Sequence, residues 1–142
     1  MDVTEIPFNR LIGIARSDRP DRLLMLRRAA DYQNHLGTVH ASAQFALAEA
    51  TSGAFLLQCF REQSGAVVPV VRRVEVKFSK PAQGPLYAAA RLDGDRAPVL
   101  AQLENKGRAV IRVEVRIEDA EGGATMAASF DWFVSALERR AP

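Results

Sequence analysis

From residue 38 to about residue 59 the chain carries no proline and is dominated by Ala, Leu, Phe, Gln and Glu, a composition that favours an α-helix. Glu49 is the only charged residue between His40 and Cys59. A helix with so little polar surface is apolar nearly all the way round and has to be buried on most sides. It cannot lie on a surface, so other parts of the chain must wrap around it.

The material for that wrapping follows in sequence. Val74, Val76 and Phe78 alternate with Arg73, Glu75 and Lys77 until Pro81 closes the run, the period of a strand with one face on a core. Residues 86–92 read as a second strand, and residues 98–106 place Val99, Leu100 and Leu103 at helical spacing. The clearest strand is 109–118, where Ile111, Val113, Val115 and Ile117 face one way and Arg112, Glu114, Arg116 and Glu118 the other. Residues 119–123 form a turn with Gly122 and Gly123, and residues 124–134 put Met126, Ala128, Phe130, Trp132 and Val134 on one face. Late strands joined by short turns imply an antiparallel sheet. The leucine-rich stretch 22–30 is either helix or buried strand by periodicity, after a short lead containing Ile6, Phe8 and Leu11. The pattern as a whole predicts an α+β fold.

A length of 142 residues fits one domain spanning 1–142, and 48% hydrophobic with 25% charged residues supply a core without disulfide staples. The net charge of +2 is spread along the chain, and the aromatic residues sit in core patterns rather than among clustered arginines, which argues against a nucleic-acid module. Cys59 has no partner for an internal disulfide and lies in an apolar run, where a packed thiol is expected. The first ten residues carry early charges and no apolar h-region, and no stretch reaches the ~18–20 apolar residues of a membrane span. These features lead us to expect a cytoplasmic protein. His35 and His40 lack neighbouring cysteines and i, i+4 spacing, so no metal is expected.

Glu49 remains the outlier. A carboxylate two turns inside an apolar helix must be paired, hydrogen-bonded or shifted in pKa. On residue type alone it marks either a functional site or a structural feature, namely a wet stripe of the helix or an ion pair with one of the arginines. The preceding segment adds a pattern: Asn34, three residues, Thr38, one residue, His40, and then Glu49 nine residues on. This arrangement resembles the signature of the hotdog-fold thioesterases of the phenylacetate-degradation type, and especially their uncharacterised relatives grouped under a domain of unknown function (DUF4442). The resemblance runs from about Arg22 to Val134 and includes Ser79-Lys80-Pro81-Ala82 and the hairpin around Gly122 and Gly123.

The resemblance implies a hotdog fold, an antiparallel five- to six-stranded sheet wrapped around one long central helix. It also implies hydrolysis of an acyl-CoA thioester without a cofactor, by a homodimer or a dimer of dimers. Glu49, as base or nucleophile, Asn34 and the Ala41 N–H would form the catalytic set, with Gly37, Thr38, His40, Ser42, Arg72 and Lys80 on the substrate. Arg73, Lys77 and Arg108 join Arg72 and Lys80 as candidates for coenzyme A phosphates. The family's His-Gly-Gly has become His40-Ala41-Ser42 here; alanine keeps the N–H, and the oxyanion site survives if φ is negative there. Some members hold the water with a serine or threonine on the next strand. Residues 66–68 are Ala-Val-Val, so that role is absent or falls to Ser64. Ala41 and Glu49 are eight residues apart, about 12 Å along a helix, too far to touch one carbonyl, so two chains are expected to share each site. The competing reading is a hotdog module that binds acyl-CoA or another acyl ligand without hydrolysing it. A hotdog dehydratase would need a His-Asp or His-Glu constellation that the stretch before the helix lacks.

Overall fold

The computed structural model describes residues 1–63 and 67–137. Its centre is the expected helix, α2 (Ala41–Cys59), with His40 as N-cap, so Thr38 and Val39 belong to the lead-in rather than to the helix. Two short strands, β1 (Ile14–Arg16) and β2 (Leu24–Leu26), precede it, and a one-turn helix, α1 (Pro7–Leu11), precedes those. After it come β3 (Val67–Phe78), β4 (Leu86–Leu92), helix α3 (Arg96–Lys106), β5 (Arg108–Glu118) and β6 (Ala124–Ala136). The six strands form one sheet in the order β1-β2-β4-β5-β6-β3, and every neighbouring pair is antiparallel. In sequence α2 lies between β2, near one edge, and β3, at the other; the helix thus carries the chain across the sheet while packing against β2, β4, β5 and β6. This is the hotdog arrangement.

The period-two residues of β5 and β6 do what their spacing requires, whereas in β3 only Val74 packs against the core and Val76 and Phe78, expected on the same face, stay exposed at the sheet edge. Ile111, Val113, Val115 and Ile117 of β5, with Met126, Ala128, Phe130, Trp132 and Val134 of β6, are all buried in one core with Leu47, Ala48 and Leu56 of α2. The ambiguous stretch 22–30 resolves into β2, where Leu24, Met25 and Leu26 are all buried, followed by a turn and a 3-10 helix (Ala29–Tyr32). Both faces of β2 are covered, which is why its sequence shows no alternation.

β3 starts earlier than its alternating part suggests. The run 67–71 is Val-Val-Pro-Val-Val, and only pairing with β6 imposes a period of two on it. A bulge between Val71 and Arg73 then resets the alternation, so Val74 and Val76 sit opposite the buried Phe130 and Ala128. Pro69 is tolerated because β3 is an edge strand with one hydrogen-bonded side. The proposed water-holding Ser64 and its neighbour Ala66 lie outside the described residues.

An ion cluster around a buried carboxylate ties the early chain to the sheet. Arg22 and Arg116 each approach the Glu118 carboxylate within 2.6 Å, and Glu118 is 7% exposed. Burial pushes that carboxyl up, but the hydrogen bonds and charges of the two guanidinium groups outweigh it and hold the group below its ordinary value. Gly107, at φ 65, ends α3 in the left-handed region that a side chain would resist.

Because Leu47 is fully buried where α2 meets the sheet, Leu47→Ala is expected to cost about 2–5 kcal/mol. Denaturant unfolding measures this directly; a cost below about 1 kcal/mol would mean that the helix is not enclosed as described.

Candidate active site

The start of α2 is built by its own lead-in. Asn34 Oδ1 accepts from the Leu36 N–H at 2.9 Å and the Thr38 N–H at 3.1 Å, while its Nδ2 donates to Thr38 Oγ1 at 2.9 Å. Gly37 supplies the positive φ of 70 that this tight loop needs. The loop closes with the Gln33–Val39 bridge, and the His40 N–H donates to the Tyr32 carbonyl at 2.7 Å. His40 then caps the helix, its Nδ1 accepting from the Ser42 N–H at 3.0 Å.

This capping leaves one donor over. Ala43 and Gln44 bond back to the His40 carbonyl and Ser42 bonds to the His40 ring, but among the described residues no hydrogen bond takes up the Ala41 N–H. It points from the positive end of a helix of 19 residues. Ala41 has a negative φ, as has every other described non-glycine residue, so its methyl group does not strain the backbone. The condition set by replacing glycine with alanine is met.

Ala41, Ser42, Phe45, Ala46 and Glu49 recur at the spacing of one helix face, and together with Phe8 of α1 they line an open groove of about 550 Å³. Glu49 is half-buried, and among the described residues neither hydrogen bond nor ion pair reaches its carboxylate. The arginine partner considered from the sequence is not found among them. Burial alone pushes its pKa above the ordinary carboxylate value. Its turn of helix is fixed from behind: the Ser52 hydroxyl donates to the Glu49 carbonyl at 2.8 Å, and Trp132 Nε1–H donates to Ser52 Oγ at 3.1 Å.

The structure brings Glu49, Ala41 and Ser42 to one groove and sets His40 beside an adjoining hollow. Asn34, Gly37 and Thr38 lie one step back, in the loop that shapes the helix start; the Asn34 side chain is engaged there rather than in the groove. Arg72 stands at the β3 bulge with its guanidinium 4.7 Å from the centre of the Phe133 ring. Lys80 is bound to Asp119 at 2.6 Å, beside the β5–β6 turn. Neither joins the groove within one chain. Phe45 and Ala46 were discoverable as the residues one turn after Ala41 and Ser42; Phe8 was not, because nothing in its local sequence ties it to α2. Among the described residues no group of three His, Cys, Asp or Glu side chains could hold a metal ion, and no helix is long and apolar enough to cross a membrane.

The comparisons with known proteins bear on the family and the fold. The model of a family described as a domain of unknown function, DUF4442, matches residues 15–134. The chain belongs to this family. Among solved structures, the DUF4442 chain is similar to a Pseudomonas aeruginosa protein of unknown function described as a probable thioesterase. That match has 27% identity and a TM-score of 0.80 over 95% of this chain and 91% of the other. A Haemophilus influenzae thioesterase matches at 16% identity and a TM-score of 0.74, covering 99% and 90% of the two chains. A Bacillus halodurans protein crystallised with CoA matches at 20% identity and a TM-score of 0.62, covering 78% and 69%. No curated protein matches. The fold of this DUF4442 member is thus the thioesterase-type hotdog fold.

The desolvated carboxylate has a consequence for stability. Glu49 has a higher pKa folded than unfolded, so its charge destabilises the fold above the folded value and has no effect below the unfolded one, about 4.3. Glu49→Gln should therefore raise Tm at pH 7–8, with the gain shrinking as pH falls and gone near pH ~4. Identical melting curves for the two proteins across that range would show that the carboxylate is not desolvated.

Proposed function

We propose that this chain is an acyl-CoA thioesterase whose sites are shared between two copies. One observation carries the reading: Glu49, a half-buried carboxylate with no partner among the described residues, lines the same groove as Ala41, whose N–H at a helix N-terminus no described residue takes up. Thioester hydrolysis needs these two kinds of group, a base or nucleophile on one side of the carbonyl and a donor for the developing oxyanion on the other. Glu49 either takes a proton from water or attacks the carbonyl itself; in both cases water is consumed and a carboxylic acid and a free thiol are released. A raised pKa suits the base role, because it brings the carboxylate nearer the working pH. Arg72 and Lys80, neither of which lines the groove, are assigned to the phosphates of coenzyme A.

Two features support sharing between copies. Ala41 and Glu49 are about 12 Å apart along α2, so one carbonyl cannot meet both in a single chain. An antiparallel second helix across a twofold axis would set each Ala41 opposite the other copy's Glu49. The edge strand β3 offers the means: it runs for 12 residues, with Val68, Val70, Val76 and Phe78 each at least 38% exposed and one edge without a described neighbour. A bare apolar edge of that length favours pairing with a second copy.

Release of free thiol from a panel of acyl-CoA thioesters tests the activity; absence of turnover on all of them would leave the binding module as the better account. With an active substrate in hand, Glu49→Gln should lower kcat by at least ~10²-fold with little change in ligand affinity. Ala41 is the first residue of α2, where proline is well accepted, so Ala41→Pro removes the N–H and keeps the helix. It should cost ~10²–10³-fold in kcat at nearly unchanged Tm. Mixing these two variants under conditions of subunit exchange then tests the sharing. With random pairing half the dimers are mixed and one site of two in each is intact, so about a quarter of wild-type activity should return. No recovery despite proven exchange would rule out the two-chain site.

A further inference from the structure

The groove lined by Glu49 has a neighbour. A second hollow lies beside it around α2, and the two have Phe8, Ser42 and Ala46 in common. Beyond this shared strip the second hollow is walled by Ile12, Tyr32, Gln33, His40 and Ala43. Ser42 and Ala46 are small and one helical turn apart, so the floor between the hollows is low. Phe8, from α1, is the one large side chain that borders both, and it is 59% exposed. The two halves differ in chemistry: the first holds Glu49 and the Ala41 N–H, while the second is mostly apolar and no Asp, Glu, Lys or Arg lines it.

Resting on the reading of this groove as a thioesterase site, we infer that Phe8 determines acyl-group specificity: the thioester reacts in the first hollow, and an uncharged apolar acyl chain passes Phe8 to place its far end in the second. A carbonyl held at the Ala41 N–H of one copy, against Glu49 of the other, lies beside the Ser42–Ala46 strip, and only a chain of several carbons reaches across it into the second hollow. An acyl group ending in a carboxylate finds no cation there to replace its water. Phe8 thus acts as a ridge whose height sets how readily a long chain is accommodated, and it takes no part in the chemistry.

The test compares kcat/KM for butyryl-, dodecanoyl- and succinyl-CoA in wild type, Phe8→Ala, Phe8→Trp and, as a control on α1, Leu11→Ala, whose side chain is 78% exposed and borders neither hollow. Phe8→Ala should raise the dodecanoyl-to-butyryl ratio by about 10-fold, Phe8→Trp should lower it by a similar factor, and Leu11→Ala should leave it alone. A ratio within about twofold of wild type for both Phe8 variants would overturn the assignment, as would a preference for succinyl over butyryl in the wild type. Dissociation constants for the non-hydrolysable thioether analogues of the two apolar substrates separate this inference from the reading beneath it. If no thioester is turned over but the Phe8 variants still shift the ratio of dissociation constants, the ridge stands and the hydrolase falls. Turnover with an unmoved ratio sinks the ridge alone.

Discussion

Everything in this molecule follows from having to enclose a helix that has almost no polar side. α2 cannot satisfy its apolar surface by lying on a sheet with one face in water, as an amphipathic helix does. The sheet therefore curls around it, drawing β2, β4, β5 and β6 onto its flanks. The short strands β1 and β2, which could not stand alone, are stabilised by serving as the start of that wall. The Arg22–Glu118–Arg116 cluster, built on a buried carboxylate, keeps the early chain in place against β5.

The enclosure is left open along one strip, and the candidate site is that opening. Ala41, Ser42 and Phe45 are the exposed positions in the first half of the helix, with Glu49 half-buried just beyond them. The same incomplete cover that lets a ligand approach also strips part of the water from Glu49 without giving it a counter-charge. Its raised pKa is thus a property of where the wall stops. At the other end of the strip, the His40 ring caps the Ser42 N–H, and among the described residues no acceptor takes up the Ala41 N–H. A fold optimised for stability alone would not leave a half-buried carboxylate without a partner among the described residues.

β5 and β6 were legible because one face of each is buried, and half-burial writes a period of two into the sequence. Residues 86–92 and the cores of β5 and β6 were assigned with nearly their true bounds. β2 and the first half of β3 were not, since a strand covered on both faces, or an apolar run at an edge, carries no alternation. Pro69 further obscured β3 until its position at the sheet edge explained it. The helix itself was read correctly except at its start, where composition does not distinguish the capping residues from the first turn.

Sequence alone determined the helix, the lone carboxylate within it and the pattern of Asn34, Thr38, His40 and Glu49, because these are local facts of spacing and residue type. Only the tertiary structure decided what those residues face. It turned Asn34 and Thr38 toward each other, because their loop is too tight to leave the amide free. It gave Lys80 to Asp119. It set Phe8, more than thirty positions away along the chain, against the Ser42–Ala46 strip. Contacts between distant parts of a chain depend on how the whole core closes, and no short stretch of sequence contains that information.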